Sequence, residues 1–229
     1  MTTMNLALKD GIHILTLTNG DDDNRFTTPV VKDYLAALDA VEGYKGNTAL
    51  ILTSEHEKTF STGINLDWLT QQDPAGKAEF LVVFETLLCR FALLRAPTVA
   101  CINGNAYAGG GILAAAADYR IMRSDRGRFC FPEVNINIPF TQVTNDIVHL
   151  LPNKHALKNM MLTGIAYTGE QCVELNIVEA IFPSEKLQGA AFELAKTLAS
   201  KDRNTYSTIR NLMRPAISVH LHQLTDSKS

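Results

Sequence analysis

The sequence predicts a layered α/β fold. Short apolar runs with the length of buried strands, at residues 49–53 and 98–102, alternate with longer segments that have helical periodicity. One of these helical segments, residues 29–41, has a proline near its first turn, where proline is well tolerated. Because a strand, a helix and a second strand form one crossover unit, repetition of such units predicts helices layered against a sheet.

The first half of the chain supplies most of the predicted strands. Asp10 and Gly11 form a pair that favours a tight turn, so residues 6–9 and 12–17 are expected to pair as a hairpin. The elements predicted after it are helix 29–41, strand 49–53, a loop at 58–67, helix 77–95, strand 98–102, a glycine-led helix, and strands 119–122 and 129–131.

The second half is predicted to be mainly helical. Beyond Pro139 the expected helices are 141–151, 153–162, 169–175, 184–200 and 205–212, with one strand at 177–181. No linker, repeat or low-complexity tract separates the two halves. We therefore expect these helices to pack on the sheet or on neighbouring subunits.

Composition and charge limit the class of protein. The 229 residues are 46% hydrophobic, which is enough for a sizeable core, and the net charge of −3 provides no overall basic field for nucleic acid. The four cysteines lack metal-binding or redox spacing and look like buried thiols of a reducing compartment. With no signal peptide and no apolar stretch of membrane-spanning length, we expect a soluble, cytoplasmic protein.

The most informative stretch is residues 101–118. An apolar strand breaks there at Gly104, three glycines follow at 109–111, and an alanine-rich helix continues. Successive glycines let the backbone approach a ligand or a packed neighbour closely. Because the first N–H groups of a helix have no partner within it, this terminus is a candidate site for an anion or oxyanion, with close packing as the alternative.

Two familiar glycine motifs do not fit this stretch. Gly104 and Gly109 have the outer spacing of a phosphate-binding loop, but Gly110 and Gly111 stand where that loop needs Lys and Ser or Thr. The dinucleotide-binding pattern needs a different glycine spacing. The sequence thus predicts a glycine-lined helix terminus that has no cation beside it.

Three stretches, taken together, resemble the crotonase (enoyl-CoA hydratase/isomerase) superfamily. They are Lys-Thr-Phe-Ser-Thr-Gly-Ile-Asn-Leu at 58–66, Asn-Gly-Asn-Ala-Tyr-Ala-Gly-Gly-Gly at 103–111, and Asp-Tyr-Arg-Ile-Met at 118–122 followed by Phe-Pro-Glu at 131–133. The three occur in order at family-like separations. The resemblance covers nearly the whole chain.

The resemblance implies both an architecture and a subgroup. It implies a crotonase-like spiral of ββα units with an acyl-CoA site at residues 1–165, followed by a mainly helical trimerisation region at 166–229. Residues 14–22 and 118–127 look most like the monofunctional Δ3-Δ2-enoyl-CoA isomerases of fatty acid β-oxidation.

The resemblance also implies site residues. In this family two backbone N–H groups form an oxyanion hole, and the matching positions here are Ile64 and Gly109. Pre-oriented N–H groups stabilise the charge that develops on a thioester oxygen when a neighbouring proton is removed. The backbone at Thr62 is expected to contact the CoA moiety, and Gly110 and Ile112 complete the expected substrate contacts.

Hydratases of the family use two glutamates, and this sequence has one of them. The position of the first is Ile112, and that of the second is Glu133. One base suffices to remove a proton from C2 of a 3-enoyl thioester and return it at C4. The sequence therefore predicts an enoyl-CoA isomerase with Glu133 as the proton shuttle, and Ile112 is expected to exclude water and favour a raised pKa of Glu133.

Other functions stay open at this point. The same oxyanion hole would also serve an enoyl-CoA hydratase, or an acyl-CoA hydrolase or decarboxylase, with Asn135 or Asn137 holding water. A crotonase-fold protein that lacks one of the two glutamates is also compatible with a non-catalytic RNA-binding or scaffold role, although the acidic balance counts against RNA.

Expected ligands and partners are few. No metal site is predicted, because the histidines show no ligand spacing, and no cofactor is predicted apart from the coenzyme A of the substrate. The expected partners are an acyl-CoA thioester and further copies of the chain in a homotrimer or hexamer, with no membrane and no nucleic acid. Four apolar residues behind the first motif either line an acyl tunnel or pack in the core: Trp68, Leu69, Phe80 and Phe84.

Overall fold

The computed structural model describes residues 3–226, which form ten strands in two sheets, together with ten α-helices. The strands are β1 (Met4–Lys9), β2 (Ile12–Leu17), β3 (Leu50–Ser54), β4 (Thr59–Ser61), β5 (Thr98–Ile102), β6 (Asn105–Tyr107), β7 (Tyr119–Arg123), β8 (Arg128–Cys130), β9 (Ala166–Thr168) and β10 (Ala180–Phe182). The helices are α1 (Thr28–Gly43), α2 (Leu66–Thr70), α3 (Pro74–Ala92), α4 (Gly109–Ala116), α5 (Gln142–Val148), α6 (Lys154–Thr163), α7 (Gly169–Glu174), α8 (Ser184–Ala199), α9 (Arg203–Leu212) and α10 (Pro215–Asp226).

The two sheets are wound by one repeated path. The larger sheet has the strand order β1-β2-β3-β5-β7-β10 and is parallel from β2 to β10, while the smaller has the order β4-β6-β8-β9 and is parallel from β4 to β8. Three times in succession the chain adds a strand to the larger sheet, then one to the smaller sheet, and then a helix. This path confirms the expected spiral of ββα units.

The opening hairpin forms as the sequence predicts. Asp10 and Gly11 both have positive φ, at 49° and 78°, which is the backbone geometry of a tight hairpin turn that matches the strand twist. The turn sets the antiparallel register of β1 and β2 from Lys9 opposite Ile12 to Met4 opposite Leu17.

Helix α4 lies in the interior of the molecule. All eight of its residues are buried, and it packs against α3, α5 and two strands of the smaller sheet. A helix that is apolar on every side is stable only where it is surrounded by protein. The glycine-led terminus of α4 is therefore held inside the fold rather than at its surface.

The structure adds elements that the sequence analysis did not predict. Strands β4, β6 and β9 have three residues each, which is too short for any periodicity to show. Helices α2 and α10 were also not predicted, and the strand expected at 177–181 is found three residues later, as β10. Strand β9 pairs with β8, and β10 pairs with β7, so both pairings cross the predicted division of the chain at residue 165. That division stays a prediction.

Helix α9 is anchored by polar groups. Its buried residues are Arg203, Ser207 and Arg210, whereas Ile209, Leu212 and Met213 near its end are 58%, 78% and 75% exposed. The guanidinium of Arg203 donates to backbone carbonyls at the end of α1, and that of Arg210 donates to the carbonyls of Leu94 and Ala96. The apolar side of α9 therefore faces outward and is available to another surface.

Candidate active site

Three neighbouring strands of the smaller sheet lead to the predicted site residues. Ile64, Gly109 and Glu133 each lie two or three residues after the end of a strand, which is β4, β6 and β8 respectively. Because β4, β6 and β8 are parallel, their carboxyl ends lie at the same edge of the sheet, where ligand sites of α/β proteins commonly form.

A cavity of about 240 Å³ opens at this edge. Its lining includes Thr62, Ile64, Gly109, Ile112 and Glu133, so the structure brings five of the six predicted site residues together. The sixth, Gly110, does not line the cavity. A β-carbon at Gly110 would lie 2.2 Å from the carbonyl oxygen of Ser61, which shows that this glycine allows close backbone packing.

The two segments of the predicted oxyanion hole are in direct contact. Gly63 has φ of +91°, and a β-carbon there would lie 2.6 Å from the backbone nitrogen of Gly109. No side chain fits in that space, and positive φ also favours glycine. Gly63 therefore lets the segment that carries Ile64 lie against the start of α4.

Both predicted N–H donors are unpaired. Within residues 3–226 the Ile64 N–H donates to no protein group, and neither does the Gly109 N–H at the first position of α4. The N–H groups around Ile64 are all used: Thr62 N–H to Asp23 O (3.1 Å), Gly63 N–H to Ser61 Oγ (3.2 Å) and Asn65 N–H to Phe26 O (3.0 Å). An oxyanion hole uses two free N–H donors, so both predicted positions are available for that role.

Glu133 has a buried carboxyl group with one unpaired oxygen. It begins a short 3-10 turn, Glu133–Ile136, and its carbonyl accepts the N–H groups of Asn137 and Ile138. The residue is 6% exposed, and its Oε2 has no hydrogen-bond partner among the described residues. Burial raises the pKa of Glu133 to about 7, with a smaller opposing effect from its own backbone N–H.

The raised pKa suits proton transfer. A carboxyl group that titrates near neutral pH accepts and returns a proton more readily than one that is always ionised. The direction of the shift agrees with the sequence-based expectation for Glu133, and Ile112, which is itself buried, lines the same cavity.

Of the other residues considered from the sequence, one lines the cavity and the rest lie outside its lining. Phe84 lines the cavity, while Phe80 stacks on Phe84 at 5.7 Å and Trp68 packs against Phe80 at 5.6 Å. Asn135 and Asn137, considered as water ligands, are absent from the cavity lining, and the amide of Asn135 packs against the backbone of Gly164.

Several cavity residues had no sequence signal. Five come from the segment between Glu133 and α5: Ile136, Ile138, Pro139, Phe140 and Thr141. No motif marks this segment, and its position depends on where the chain turns after Glu133. Ala108 was missed too, although it lies inside the glycine motif. Ala108 has φ of 47° and ψ of −128°, and an alanine in a sequence does not indicate such a backbone conformation.

Across residues 3–226, no three or more His, Cys, Asp or Glu side chains are grouped so as to hold a metal ion. Over the same part of the chain, every helix is too short or too polar to span a bilayer.

Comparison with known proteins agrees with this geometry. Residues 7–228 match the family described as enoyl-CoA hydratase/isomerase. Two Arabidopsis thaliana relatives, enoyl-CoA delta isomerase 3 and the peroxisomal enoyl-CoA delta isomerase 2, are 29% and 30% identical, each covering 93% of this chain and 92% of the relative. The solved structure of human mitochondrial delta3-delta2-enoyl-CoA isomerase is similar in fold, with a TM-score of 0.88 at 22% identity over 98% of this chain and 88% of that one. The chain therefore belongs to the enoyl-CoA hydratase/isomerase family, within the crotonase superfamily.

Proposed function

We propose that the protein is a Δ3-Δ2-enoyl-CoA isomerase, which converts 3-enoyl-CoA into trans-2-enoyl-CoA. The observation that carries this proposal is that, among the described residues, Glu133 is the one acidic side chain lining the cavity. A double-bond shift needs one group that takes and returns a proton, whereas hydration also needs a group that holds the attacking water. Ile112 occupies the position of the other glutamate that hydratases of the family use.

In the proposed reaction the ionised Glu133 removes a proton from C2 of the substrate. The electrons move onto the thioester oxygen, where the N–H groups of Ile64 and Gly109 stabilise the negative charge. Glu133 then returns the proton at C4, and the double bond comes to lie between C2 and C3. The coenzyme A is part of the substrate, and the proposed reaction uses no separate cofactor.

The proposed compartment is the cytoplasm. Its support is that Cys89, Cys101, Cys130 and Cys172 are free and buried, as is typical of a reducing environment. The names of relatives place an Arabidopsis isomerase in peroxisomes and a human one in mitochondria.

The experiment that tests the proposal follows the ultraviolet absorbance of the conjugated thioester, which appears on isomerisation and disappears on hydration. Glu133→Gln keeps the side-chain volume and removes the base, so turnover is expected to fall roughly a hundredfold or more while CoA binding is retained. Glu55→Gln, at an exposed position outside the cavity, is the matched control. Full activity of Glu133→Gln, or efficient hydration by the unaltered protein, would contradict the mechanism.

A further inference from the structure

Ala108 has a backbone conformation that alanine rarely adopts. Within residues 3–226 the other non-glycine residues with positive φ are all Asp or Asn: Asp10, Asp23, Asn24, Asn137 and Asn176. Their short polar side chains make positive φ more acceptable. Ala108 lacks such a side chain, and its ψ of −128° lies outside the left-handed helical region. A glycine would be less strained at this position.

Hydrogen bonds hold Ala108 on both sides. Its N–H donates to the carbonyl of Cys130 at 3.0 Å, and its carbonyl accepts the N–H of Ile112 at 2.9 Å. Both bonds use the backbone, so a glycine at this position could make them as well. What alanine adds is one methyl group. Strained residues that persist in a fold are concentrated at functional sites. The methyl group of Ala108 is therefore a candidate functional group.

The methyl group lies at the junction of the two halves of the site. Ala108 lines the same cavity as Ile112 and Glu133. Its β-carbon is 3.0 Å from the place that a β-carbon at Gly63 would occupy, so it packs against the segment that carries Ile64. It therefore lies beside the contact between Gly63 and the start of α4.

We propose that the methyl group of Ala108 closes the cavity wall beside the oxyanion donors and keeps water away from the proton that Glu133 carries. This inference rests on the proposed isomerase function. During the reaction the C2–H bond breaks, Glu133 holds the proton, and a C4–H bond forms as the double bond moves. Water that reached protonated Glu133 would replace the substrate's proton with one from solvent, which is a form of proton leakage that a closed site prevents.

The test is the reaction of Ala108→Gly in deuterium oxide. Mass spectrometry at low conversion measures the deuterium that each turnover places in the trans-2-enoyl-CoA product. We expect roughly a threefold or greater increase over the unaltered protein, with no loss of thermal stability, because glycine relieves the backbone strain. Ala114→Gly removes a buried methyl group from the same helix outside the cavity and is expected to leave the deuterium content unchanged.

The outcomes separate this inference from the function on which it rests. Equal deuterium content for Ala108→Gly and the unaltered protein, both active, would overturn the role of Ala108 and leave the isomerase proposal intact. An increase of the same size in Ala114→Gly would also overturn it, because the effect would then not depend on the cavity wall. If the unaltered protein does not isomerise 3-enoyl-CoA, both proposals fail together.

Discussion

The buried carboxyl group of Glu133 makes the folded protein less stable as the pH rises, and Glu133→Gln should remove that effect. Burial raises its pKa from 4.5 to about 7. Below the lower value the group is protonated in both the folded and the unfolded protein, so it costs nothing. Above the higher value it is ionised in both, and the folded protein bears the full cost of burying the charge.

The magnitude follows from that shift. One pKa unit corresponds to about 1.4 kcal/mol, so the free energy of unfolding should fall by about 2.5 kcal/mol between about pH 5 and about pH 8 through this group alone. Glu133→Gln has no charge to bury. Its stability relative to the unaltered protein should therefore rise by about that amount over the same pH interval.

Urea unfolding at both pH values, at one protein concentration, measures this difference. Burying the glutamine amide adds a cost of its own, but that cost is the same at both pH values and cancels. Glu55→Gln is the control and should not reproduce this change, because an exposed carboxylate carries no burial cost. If the difference in free energy of unfolding between Glu133→Gln and the unaltered protein does not change with pH, the reasoning that burial raises the pKa of Glu133 is refuted.

Three further predictions concern activity and assembly. The kcat/KM of the unaltered protein should be roughly tenfold higher at about pH 8 than at about pH 6, because the base must be ionised and its pKa is about 7; a flat profile would contradict this. Gly63→Ala places a β-carbon 2.6 Å from the backbone nitrogen of Gly109, a predicted oxyanion donor, and should lower kcat/KM roughly a hundredfold or more. Gly43→Ala, where a β-carbon would have nothing within 4 Å, should leave kcat/KM unchanged. Light scattering should find a trimer or hexamer, and replacing the exposed Leu212 and Met213 by Asp should shift the mass toward the monomer, because these residues lie on the outward apolar side of α9.

Much of the fold could be predicted from the sequence because its signals are local. The Asp10-Gly11 turn fixes a hairpin by its own backbone preference, and the buried strand Thr98–Ile102 is a continuous apolar run between turn residues. The three-residue strands of the smaller sheet carry no such signal. Helix α10 was missed because Ile217, Val219 and Leu221 alternate with polar residues, a pattern that resembles a strand as much as a helix.

The site was less accessible to sequence reasoning. The spacing of the glycines indicates a special helix terminus, but the pairing of Ile64 with Gly109 came from the family resemblance. The contact between their two segments depends on how β4 and β6 pair, which a single sequence does not show. The burial of Glu133 depends on side chains from α4 and from the segment before α5, and the strain at Ala108 appears only when its dihedral angles are known.

The distribution of the site over three successive ββα turns has a consequence for folding. The groups that follow β4, β6 and β8 come together only after all three strands have paired, so they depend on contacts between distant parts of the sequence. Contacts of this kind form late, because closing long loops costs entropy before any pairing is gained. During refolding, helical structure should return before catalysis does. A partly folded chain would then be inert toward thioesters, and enzymatic activity would report completion of the spiral.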